Sequence, residues 1–470
     1  MIRASLLAPL LVAACAVGPR YRAPTPPEAT AYAPAPVVLA APGVPSQRLV
    51  ATAVPRDWWR AFGSARLAAL VEDALAHSPT IAAANATLAQ LREQAKVQGG
   101  GLYPSLVLNP NIQRARESAE LQPLVSSNAL NYTVITAGAQ VSFNPDVFGG
   151  VRRGRAQARA LAEAARYQLA AARATLAGNV VTAAIQIASL DAQLAEQQRA
   201  IAAALRTVEI GRLQRAEGQI SGADLAAFEA QLAAARVALP PLDRARATAR
   251  DSLAVLTGHT PDHVLGNLPT LDAFTLPADM PVAVPSRLVE TRPDVLAAAA
   301  NLRAANAALG IATSARLPLF NLTANGGTAS TTLARLFRSE NIFWTLIGGV
   351  TAPLLDAGTL LHGQRAARAG VEVSRAQYRS AVLTGLQNVA DALEVLAADA
   401  RAVAAAQAAR TAAVRSLSEA TLQHREGQVS SLALLSAQAN DATVASQVIQ
   451  ARAARLSDTA SLFVAMGGGQ

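Results

Sequence analysis

The feature that most constrains this chain is a proline-free stretch from Gly149 to Ala216. Alanine dominates it, together with leucine, glutamine, glutamate and arginine, which are strong helix formers. Rows of apolar residues recur in it every seven positions, a spacing typical of a coiled-coil seam. A helix of roughly 68 residues would be about 100 Å long, far longer than the average helix of a globular protein. The two rows are Leu169, Leu176, Ala183 and Leu190, and Val180, Ile187, Leu194, Ile201 and Val208.

A second stretch of the same kind runs from Gly358 to Glu426. Each stretch ends in a short turn and is followed by a further helical segment. The two turns match, with Glu-Gly-Gln-Ile-Ser at 217–221 and Glu-Gly-Gln-Val-Ser at 426–430. The sequence therefore predicts a duplicated hairpin of long helices.

The composition fits long helices that pack through small residues. Hydrophobic residues make up 51% of the 470 residues but aromatic residues only 4%, and alanine is the commonest apolar residue. Alanine seams let helices approach closely, yet each alanine buries little area. We therefore expect one elongated body that depends on its length or on partner chains for stability.

The net charge of +9 does not indicate a nucleic-acid-binding protein. The arginines are spread singly along the helices, as at Arg155, Arg159, Arg166 and Arg173, and lysine is nearly absent. A nucleic-acid-binding domain instead clusters its basic residues on one face, often with aromatic residues. Solvated helix faces explain the charge better.

No group of residues predicts catalysis or metal binding. His259 and His263 lie in a sequence with glycine and proline, which predicts a loop, and no third metal ligand is nearby. The chain contains neither a phosphate-binding loop nor a nucleophile elbow. We predict that the chain is not an enzyme and holds neither a metal nor a cofactor other than a covalent lipid.

The N-terminus predicts a secreted lipoprotein. Residues 1–14 form a short, weakly basic and then apolar segment that ends immediately before Cys15, the only cysteine in the chain. This pattern resembles a bacterial lipoprotein signal, in which cleavage leaves a cysteine that carries acyl chains. An ordinary signal peptide with an incidental cysteine is the alternative. Ala16 resembles the outer-membrane sorting class, and residues 15–56 predict a lipidated, extended, proline-rich segment.

The chain repeats one order of elements: helix, two strands, then a long helical hairpin. Pro79 and Pro104 bracket the first helix, as Pro293 and Pro318 bracket the second. We predict a first repeat at 57–270, with strands near 104–113 and 133–143 and a hairpin at 149–257. The second repeat spans 271–470, with strands near 317–325 and 343–354 and a hairpin at 358–466. The Trp58-Trp59 pair is expected to pack in the core.

The four predicted strands alternate apolar and small polar residues. Segments of about 10 residues with one apolar face are typical of membrane β-barrels. The edge of a soluble sandwich is the alternative. Because lipid tolerates no unpaired strand edge, four strands in a membrane must share a barrel with other chains. Two copies give about 8 strands and three give about 12, and only the wider barrel leaves room for a channel.

Several motifs together resemble the TolC/OprM-type outer-membrane efflux factors, in their lipoprotein (NodT-like) branch. The resemblance covers essentially the whole mature chain. It implies a homotrimer with a shared 12-stranded outer-membrane β-barrel on a periplasmic α-helical barrel. It also implies docking to a periplasmic adaptor protein and an inner-membrane RND pump. The motifs are Cys15, Gly18 to Pro24, Trp58-Trp59, Arg292-Pro293-Asp294 and the two Glu-Gly-Gln turns.

The resemblance also implies that the helical turns form a gated periplasmic tip. Gly218 and Gly427 lie in these turns, and Asp224 matches an acidic position that forms a constricting ring in the family. His424 and Arg425 flank the second turn, so an ion pair with Asp224 is one reading and solvated tip charges are the other.

The second tip departs from the family pattern. Leu432 fits a leucine that is frequent in the lipoprotein branch, but Ser436 stands where that branch has an aspartate. An acidic ring at this second position is therefore not expected from the sequence.

The favoured function is a passive exit duct for small molecules, driven by an inner-membrane pump. A duct for protein secretion with an ABC exporter is the first alternative. A coiled-coil envelope lipoprotein that acts as a spacer is the second, although a spacer has no use for the alternating strands. The exported substrate, the adaptor and the resting state of the gate are not predicted by the sequence.

Overall fold

The computed structural model describes residues 17–19, 21–22, 24–25, 31–32, 37–116, 131–264 and 266–469. Cys15 and the predicted signal peptide lie outside these described residues. Most of the segment between the first two predicted strands also lies outside them. The lipid attachment at Cys15 therefore stays a prediction.

The first half of the described chain runs from a short strand through two helices and two strands into a helical hairpin. A 3₁₀ turn at Trp58–Phe62 precedes the first helix. The elements are β1 (Arg48–Val50), α1 (Ala65–His77), α2 (Pro79–Gly100), β2 (Ser105–Arg116), β3 (Asn131–Phe143), α3 (Gly150–Ala216), α4 (Gly222–Val237) and α5 (Leu239–Leu256).

The second half repeats this order. A 3₁₀ turn at Leu271–Ala273 precedes it, and two more, at Leu333–Arg335 and Ser339–Asn341, link its two long strands. The elements are β4 (Asp279–Pro281), α6 (Pro285–Thr291), α7 (Pro293–Ser314), β5 (Leu319–Ser330), β6 (Ile342–Thr351), α8 (Thr359–Arg425) and α9 (Ser431–Ala465).

The returning arm of the first hairpin is interrupted, whereas the sequence predicted an unbroken hairpin over 149–257. Helix α4 ends at Val237 and α5 begins at Leu239, with prolines in the first turn of α5. Pro240 and Pro241 have no backbone N–H to donate to the preceding turn, which explains the break. The second arm, α9, has no proline and is continuous over 35 residues.

An aspartate begins each of the two longest helices. Asp146 accepts hydrogen bonds from the backbone N–H groups of Val151 and Arg152, both at 2.9 Å. Asp356 does the same for Gly358 (3.0 Å) and Leu360 (2.8 Å). In each case the carboxylate satisfies N–H groups that have no partner inside the helix, where it also complements the helix dipole. The sequence repeat thus extends to the caps.

Four strands form one antiparallel sheet in the order β2-β3-β5-β6. Strand β3 pairs with β5, so the sheet joins the two repeats. Strand β2 continues through Pro110, which lies opposite Ala137, and ends at Arg116, beyond the predicted end near residue 113. β2 lies at the end of the sheet, and proline is tolerated on an edge strand because its missing N–H need not enter a ladder.

The chain forms two compact units, and neither coincides with a predicted repeat. One unit consists of the described residues of Met1–Pro24 with Leu88–Ala165 and Ala298–Tyr378. It contains the four-stranded sheet and a small core of Leu302, Leu309 and Val371. Both repeats contribute to this unit because their strands share one sheet.

The other unit consists of the described residues of Thr25–Thr87 with Arg166–Ala297 and Arg379–Gln470. Its core contains the predicted coiled-coil positions Val180 and Ile187, both fully buried. Trp58 is buried as predicted and stacks on Phe463, with ring centroids 5.1 Å apart. Ala183 and Ile201, which belong to the predicted apolar rows, are only half-buried.

Two helices, α7 and α8, are long and apolar enough to pass a simple test for a membrane span. The test rests on length and composition alone, and both helices owe their apolar character largely to alanine. Half of the apolar window of α7 is already buried against protein. The strands are therefore better candidates for the membrane segment than these two helices.

Candidate functional site

The register of the sheet places most of the apolar residues of the four strands on one face, with Val107, Val134, Leu319, Phe343 and Ile347 on the other. Directly opposed residues of an antiparallel pair point to the same face. Leu108 lies opposite Ala139, which lies opposite Gly326, which in turn lies opposite Trp344. By the same register this face also contains Leu106, Ile112, Ile135, Val141, Leu322, Ala324, Leu346 and Val350.

The opposite face of the sheet is mostly small and polar. In the first two strands it contains Asn109, Asn111, Thr136, Gln140 and Ser142. In the last two strands it contains Asn321, Thr323, Asn325, Thr345 and Thr351. The strands therefore separate an apolar surface from a hydrophilic one over 10 to 13 residues each.

No described part of the chain covers the apolar face. The side chains of Leu108 and Trp344 are 74% and 78% exposed. A contiguous exposed apolar surface of this kind marks contact with lipid or with protein. β2 and β6 end the sheet, so each leaves one edge without a partner among the described strands.

The second candidate site is formed by the tips of the two helical hairpins. Both hairpins turn through the same backbone motif. Gly218 and Gly427 have positive φ angles of 74° and 71°. The N–H of Gln219 donates to the Gln214 carbonyl, and the N–H of Gln428 donates to the Gln423 carbonyl, both at 2.8 Å. This Schellman geometry ends a helix and favours glycine, because other residues are strained at positive φ.

The first tip is closed by a capping box. The Ser221 hydroxyl accepts from the Asp224 backbone N–H at 3.1 Å, and the Ser221 backbone N–H donates to Oδ2 of Asp224 at 3.1 Å. The Ser221 hydroxyl also lies 2.7 Å from the same carboxylate oxygen. Asp224 therefore helps to cap the N-terminus of α4. The Ser-x-x-Asp spacing predicts this role, but it was not among the roles expected from the sequence.

The second tip keeps the serine but lacks the acid. Ser430 caps α9 through the N–H of Ala433 at 3.4 Å, and Ala433 stands where the first tip has Asp224. Leu432 is an exposed residue of the first turn of α9, and Ser436 is exposed further along that helix. The second tip therefore presents an apolar side chain and no carboxylate at these positions.

The structure pairs Asp224 with Ser221 and not with Arg425. Among the described residues Arg425 forms no ion pair. His424 lies close enough to act on Asp224, while its Nε2 lies 3.3 Å from the Ser431 hydroxyl. The hydrogen bonds from Ser221, and after them the positive charge of His424, hold the pKa of Asp224 below its usual value. Of the two interpretations, the contacts within the described chain support the one without an ion pair between Asp224 and Arg425.

The two tips pack on one shared apolar cluster. Phe228 of α4 is 2% exposed and contacts Val208 of α3 and Leu435 of α9. A Cβ on Gly211 would lie only 2.6 Å from the Phe228 ring, so this glycine makes room for it. A movement of one tip would therefore disturb the packing of the other.

A buried arginine joins three helices at the α6–α7 junction. Arg292 forms a two-pronged ion pair with Asp294, at 2.8 and 2.7 Å. It also donates to the carbonyls of Gly385 (3.2 Å) and Ala465 (2.8 Å). The Arg-Pro-Asp motif that contributed to the family resemblance thus connects α7 with α8 and α9 in this chain.

Two carboxyl groups that the sequence analysis did not single out lie together on α8 and α9. Burial, and after it the Asp458 carboxyl beside it, raise the pKa of Asp399 to about 7, while Arg455 opposes the change. Burial and the neighbouring carboxyl therefore favour the protonated form of Asp399 below about pH 7.

His259 and His263 lie in the turn that follows α5. Their rings stack with centroids 4.0 Å apart, and Nδ1 of His259 lies 3.2 Å from the Thr257 hydroxyl. Among the described residues no group of three or more His, Cys, Asp or Glu side chains could hold a metal ion.

The chain therefore has two candidate sites, an amphipathic sheet with open edges and a pair of capped helical tips. A family model for outer membrane efflux proteins matches residues 70–259 and 284–468, most of the chain. The chain belongs to the outer membrane efflux protein family. Both matched segments run from the first helix of a repeat to the end of its hairpin.

Individual relatives are similar along their whole lengths. The pyoverdine export outer membrane protein OpmQ of Pseudomonas putida is 28% identical, over 95% of this chain and 94% of OpmQ. The antibiotic efflux pump outer membrane protein ArpC of Pseudomonas putida is 25% identical, over 98% of this chain and 93% of ArpC. The crystal structure of the Campylobacter jejuni CmeC outer membrane channel superposes with a TM-score of 0.88 and 19% identity, covering 97% of this chain and 95% of CmeC.

The predicted fold class is confirmed for the single chain: mainly α with a transmembrane β part, in a duplicated arrangement. The family consists of transport channels, and the protein is a channel of the outer membrane. In this setting the apolar face of the sheet is the surface that faces lipid.

Proposed function

We propose that this chain is the exit duct of a tripartite efflux pump that exports small molecules across the outer membrane. Three copies share one 12-stranded barrel, continued into the periplasm by their helical hairpins. An inner-membrane RND transporter supplies the energy through a periplasmic adaptor protein. The duct itself is passive and carries out no reaction.

One observation carries the proposal: a four-stranded sheet with one apolar face and two open edges. In lipid every backbone polar group needs a protein partner, so the edges of β2 and β6 must pair with strands of other copies. Three copies of a four-stranded sheet supply about 12 strands, enough for an aqueous channel. The polar face, with Asn109, Gln140, Asn325 and Thr345, then lines that channel.

The cargo class is inferred from the relatives. OpmQ is named for pyoverdine export and ArpC for antibiotic efflux. Both kinds of cargo are small molecules. The alternating strands and the long hairpins suit a wide, water-filled path, with selection left to the pump and the adaptor.

The lipid anchor and the gate belong to the same proposal. Acyl chains on Cys15 would hold the N-terminus at the membrane that contains the barrel. The tips, with Gly218 and Gly427 at their turns, would form the periplasmic entrance, and three copies of Asp224 would narrow it. His424 beside Asp224 would moderate the repulsion among the carboxylates.

Cysteine cross-linking tests the shared barrel. One cysteine is placed on β2, as Asn109→Cys, and one at successive positions of β6, starting with Thr345→Cys. For a matching register we expect disulfide-linked species that end at the trimer. The control pair Gln140→Cys and Asn325→Cys lies opposite within one chain and should cross-link without forming oligomers. Dimers as the largest species in every register would contradict the trimer.

Purification from native envelopes in mild detergent, with mass spectrometry of the bound proteins, tests the partners. We expect an RND transporter and a periplasmic adaptor. An ABC exporter in their place would move the assignment to protein secretion. A monomer bound only to cell-wall proteins would favour the structural lipoprotein and overturn the duct.

A further inference from the structure

A cavity of about 520 Å³ lies beside helix α3, within the unit that contains the long hairpins. Its size is in the range of sites that take drug-sized ligands. The described residues that line it include three arginines and no acidic residue: Arg56, Trp59, Leu75, Arg166, Tyr167, Leu169, Ala170, Arg173, Ala174, Gly468 and Gly469. The surroundings are therefore positively charged without a carboxylate among the described lining residues.

Helix α3 presents two of the arginines on one face. Arg166, Ala170 and Arg173 follow one another at intervals of four and three residues, so they lie on the same side of the helix. The two arginines are about two turns apart, roughly 10 Å along the axis. Between them Ala170 has only a methyl group, which leaves open space toward which both long side chains can reach.

Neither Arg166 nor Arg173 forms an ion pair or hydrogen bond with a described residue. The guanidinium of Arg166 lies over the Tyr167 ring, 4.7 Å from its centroid. Many other arginines of the chain do have acidic partners, such as Arg303 with Glu163 (2.9 Å) and Arg452 with Asp272 (2.9 Å). Two arginines without such partners beside one cavity suit an anionic ligand, since guanidinium groups bind carboxylates and phosphates through paired donors.

The far wall is formed by a close-packed glycine segment. Gly468 and Gly469 have positive φ angles of 66° and 71°. A Cβ on Gly468 would lie 2.4 Å from the Ala174 side chain, and one on Gly469 would lie 2.2 Å from the Pro55 carbonyl oxygen. The wall is therefore fixed in place, and the cavity is a built feature of this packing. Leu75 and Leu169 add apolar surface.

We propose that this cavity binds a small organic anion with an aromatic or aliphatic body. Its carboxylate, sulfonate or phosphate group would lie between Arg166 and Arg173. Its apolar body would lie against Leu75 and Leu169.

The test is calorimetric titration of the full-length protein in detergent with naphthalene-2-sulfonate, after subtraction of the signal from protein-free micelles. We expect saturable binding of one probe per chain. The neutral naphthalene-2-sulfonamide should bind about tenfold more weakly, since it lacks the charge that the arginines recognise.

Two double variants locate the site. The double variant Arg166→Gln/Arg173→Gln should weaken binding of the sulfonate about tenfold or more. The matched control Arg206→Gln/Arg415→Gln removes two exposed arginines away from the cavity and should leave binding unchanged. Equal melting temperatures for all variants would show that the fold is intact.

Arg166→Lys/Arg173→Lys keeps the charge and should retain part of the affinity, which provides a second readout if the glutamine variant does not fold. Absence of saturable binding up to millimolar probe would overturn the proposal. Equal losses in the cavity variant and in the control variant would overturn it as well, because they would indicate unspecific attraction to a basic protein.

Discussion

The two helical tips have the same backbone and different side chains. Both turn at a glycine with positive φ, and both begin the returning helix with a serine cap. Only the first tip has a carboxylate in the capping box, because Asp224 is replaced by Ala433 in the second. The duplication has thus kept what the turn needs geometrically and has let the charge diverge. A ring of three identical chains would alternate acidic and uncharged positions at its entrance.

The helix junctions near the start of each repeat diverge in the same way. Pro79 and Pro293 begin equivalent helices, but the residue before them is Ser78 in the first repeat and Arg292 in the second. Ser78 is buried and makes no side-chain hydrogen bond to a described residue, whereas Arg292 connects α7 with α8 and α9. Equivalent positions therefore differ strongly in what they contribute to stability.

The largest expected effect is a difference between these two junctions in their contribution to the free energy of unfolding. Arg292→Met should lower the free energy of unfolding by about 2–4 kcal/mol, because it removes the partner of Asp294 and two donors to carbonyls. Ser78→Ala should change it by less than about 0.5 kcal/mol. Denaturant unfolding in detergent, followed by circular dichroism, measures both. Similar losses for the two variants would show that the two junctions do not differ as the contacts suggest.

The caps of the two tips should differ next. Ser221→Ala removes a cap and the hydroxyl beside the Asp224 carboxylate, so we expect a loss of about 1–2 kcal/mol. Ser430→Ala removes only the long contact to Ala433, and we expect about 0.5 kcal/mol. The same unfolding measurement applies. A larger loss at Ser430 would reverse the ranking of the two caps.

The turns themselves should respond alike. Gly218→Ala and Gly427→Ala should each cost about 1 kcal/mol, since an added Cβ meets no atom within 4 Å and only the left-handed backbone is strained. The measurement is the unfolding midpoint, which should shift equally in the two variants. A shift in only one variant would show that turns with the same backbone conformation differ in their contribution to stability.

The pH dependence of stability distinguishes two carboxyls whose pKa values are shifted in opposite directions. The pKa of Asp224 is lowered in the folded protein, so its carboxylate stabilises the fold above about pH 4 and the benefit is lost as pH falls through the folded pKa. Asp224→Asn should therefore lower the melting temperature at pH 7 but not at pH 2–3. Ala433→Asn is the matched control on the second tip and should have no such pH dependence.

For Asp399 the sign is the opposite. Its pKa is raised to about 7, so ionisation costs stability progressively from about pH 4 and in full above pH 7. Asp399→Asn should raise the melting temperature at pH 8 and leave it unchanged at pH 4. A decrease at pH 8 would show that the carboxylate is stabilised there by Arg455 more than it is disfavoured by burial and by Asp458.

Periodicity and turn chemistry made most of the fold predictable from the sequence. Seven-residue rows such as Val180 and Ile187 fix a helix and its buried side, and alternation in residues 133–143 fixes a strand and its two faces. The doubled Glu-Gly-Gln turns located both tips. The break at Pro240 was readable in principle, because a proline pair inside a helical pattern removes two backbone donors.

The remaining features depend on contacts between residues far apart in the chain. Nothing near Asp399 in the sequence shows that Asp458 and Arg455 lie beside it, and nothing near Trp59 shows that two arginines of α3 line the same cavity. The sequence left the partner of Asp224 open for a different reason. A local bond to Ser221 competes well with an ion pair across the tip, because it orders few side chains.

Single-channel conductance of the purified full-length protein in planar bilayers tests the central claim, that the first tip narrows the duct and the second does not. Asp224→Ala leaves neither tip with a carboxylate at this position and should raise the conductance. Ala433→Asp gives both tips a carboxylate at this position, and should lower the conductance and increase the preference for cations. Unchanged conductance in Asp224→Ala, with or without an effect of Ala433→Asp, would remove Asp224 from the gate and contradict the account.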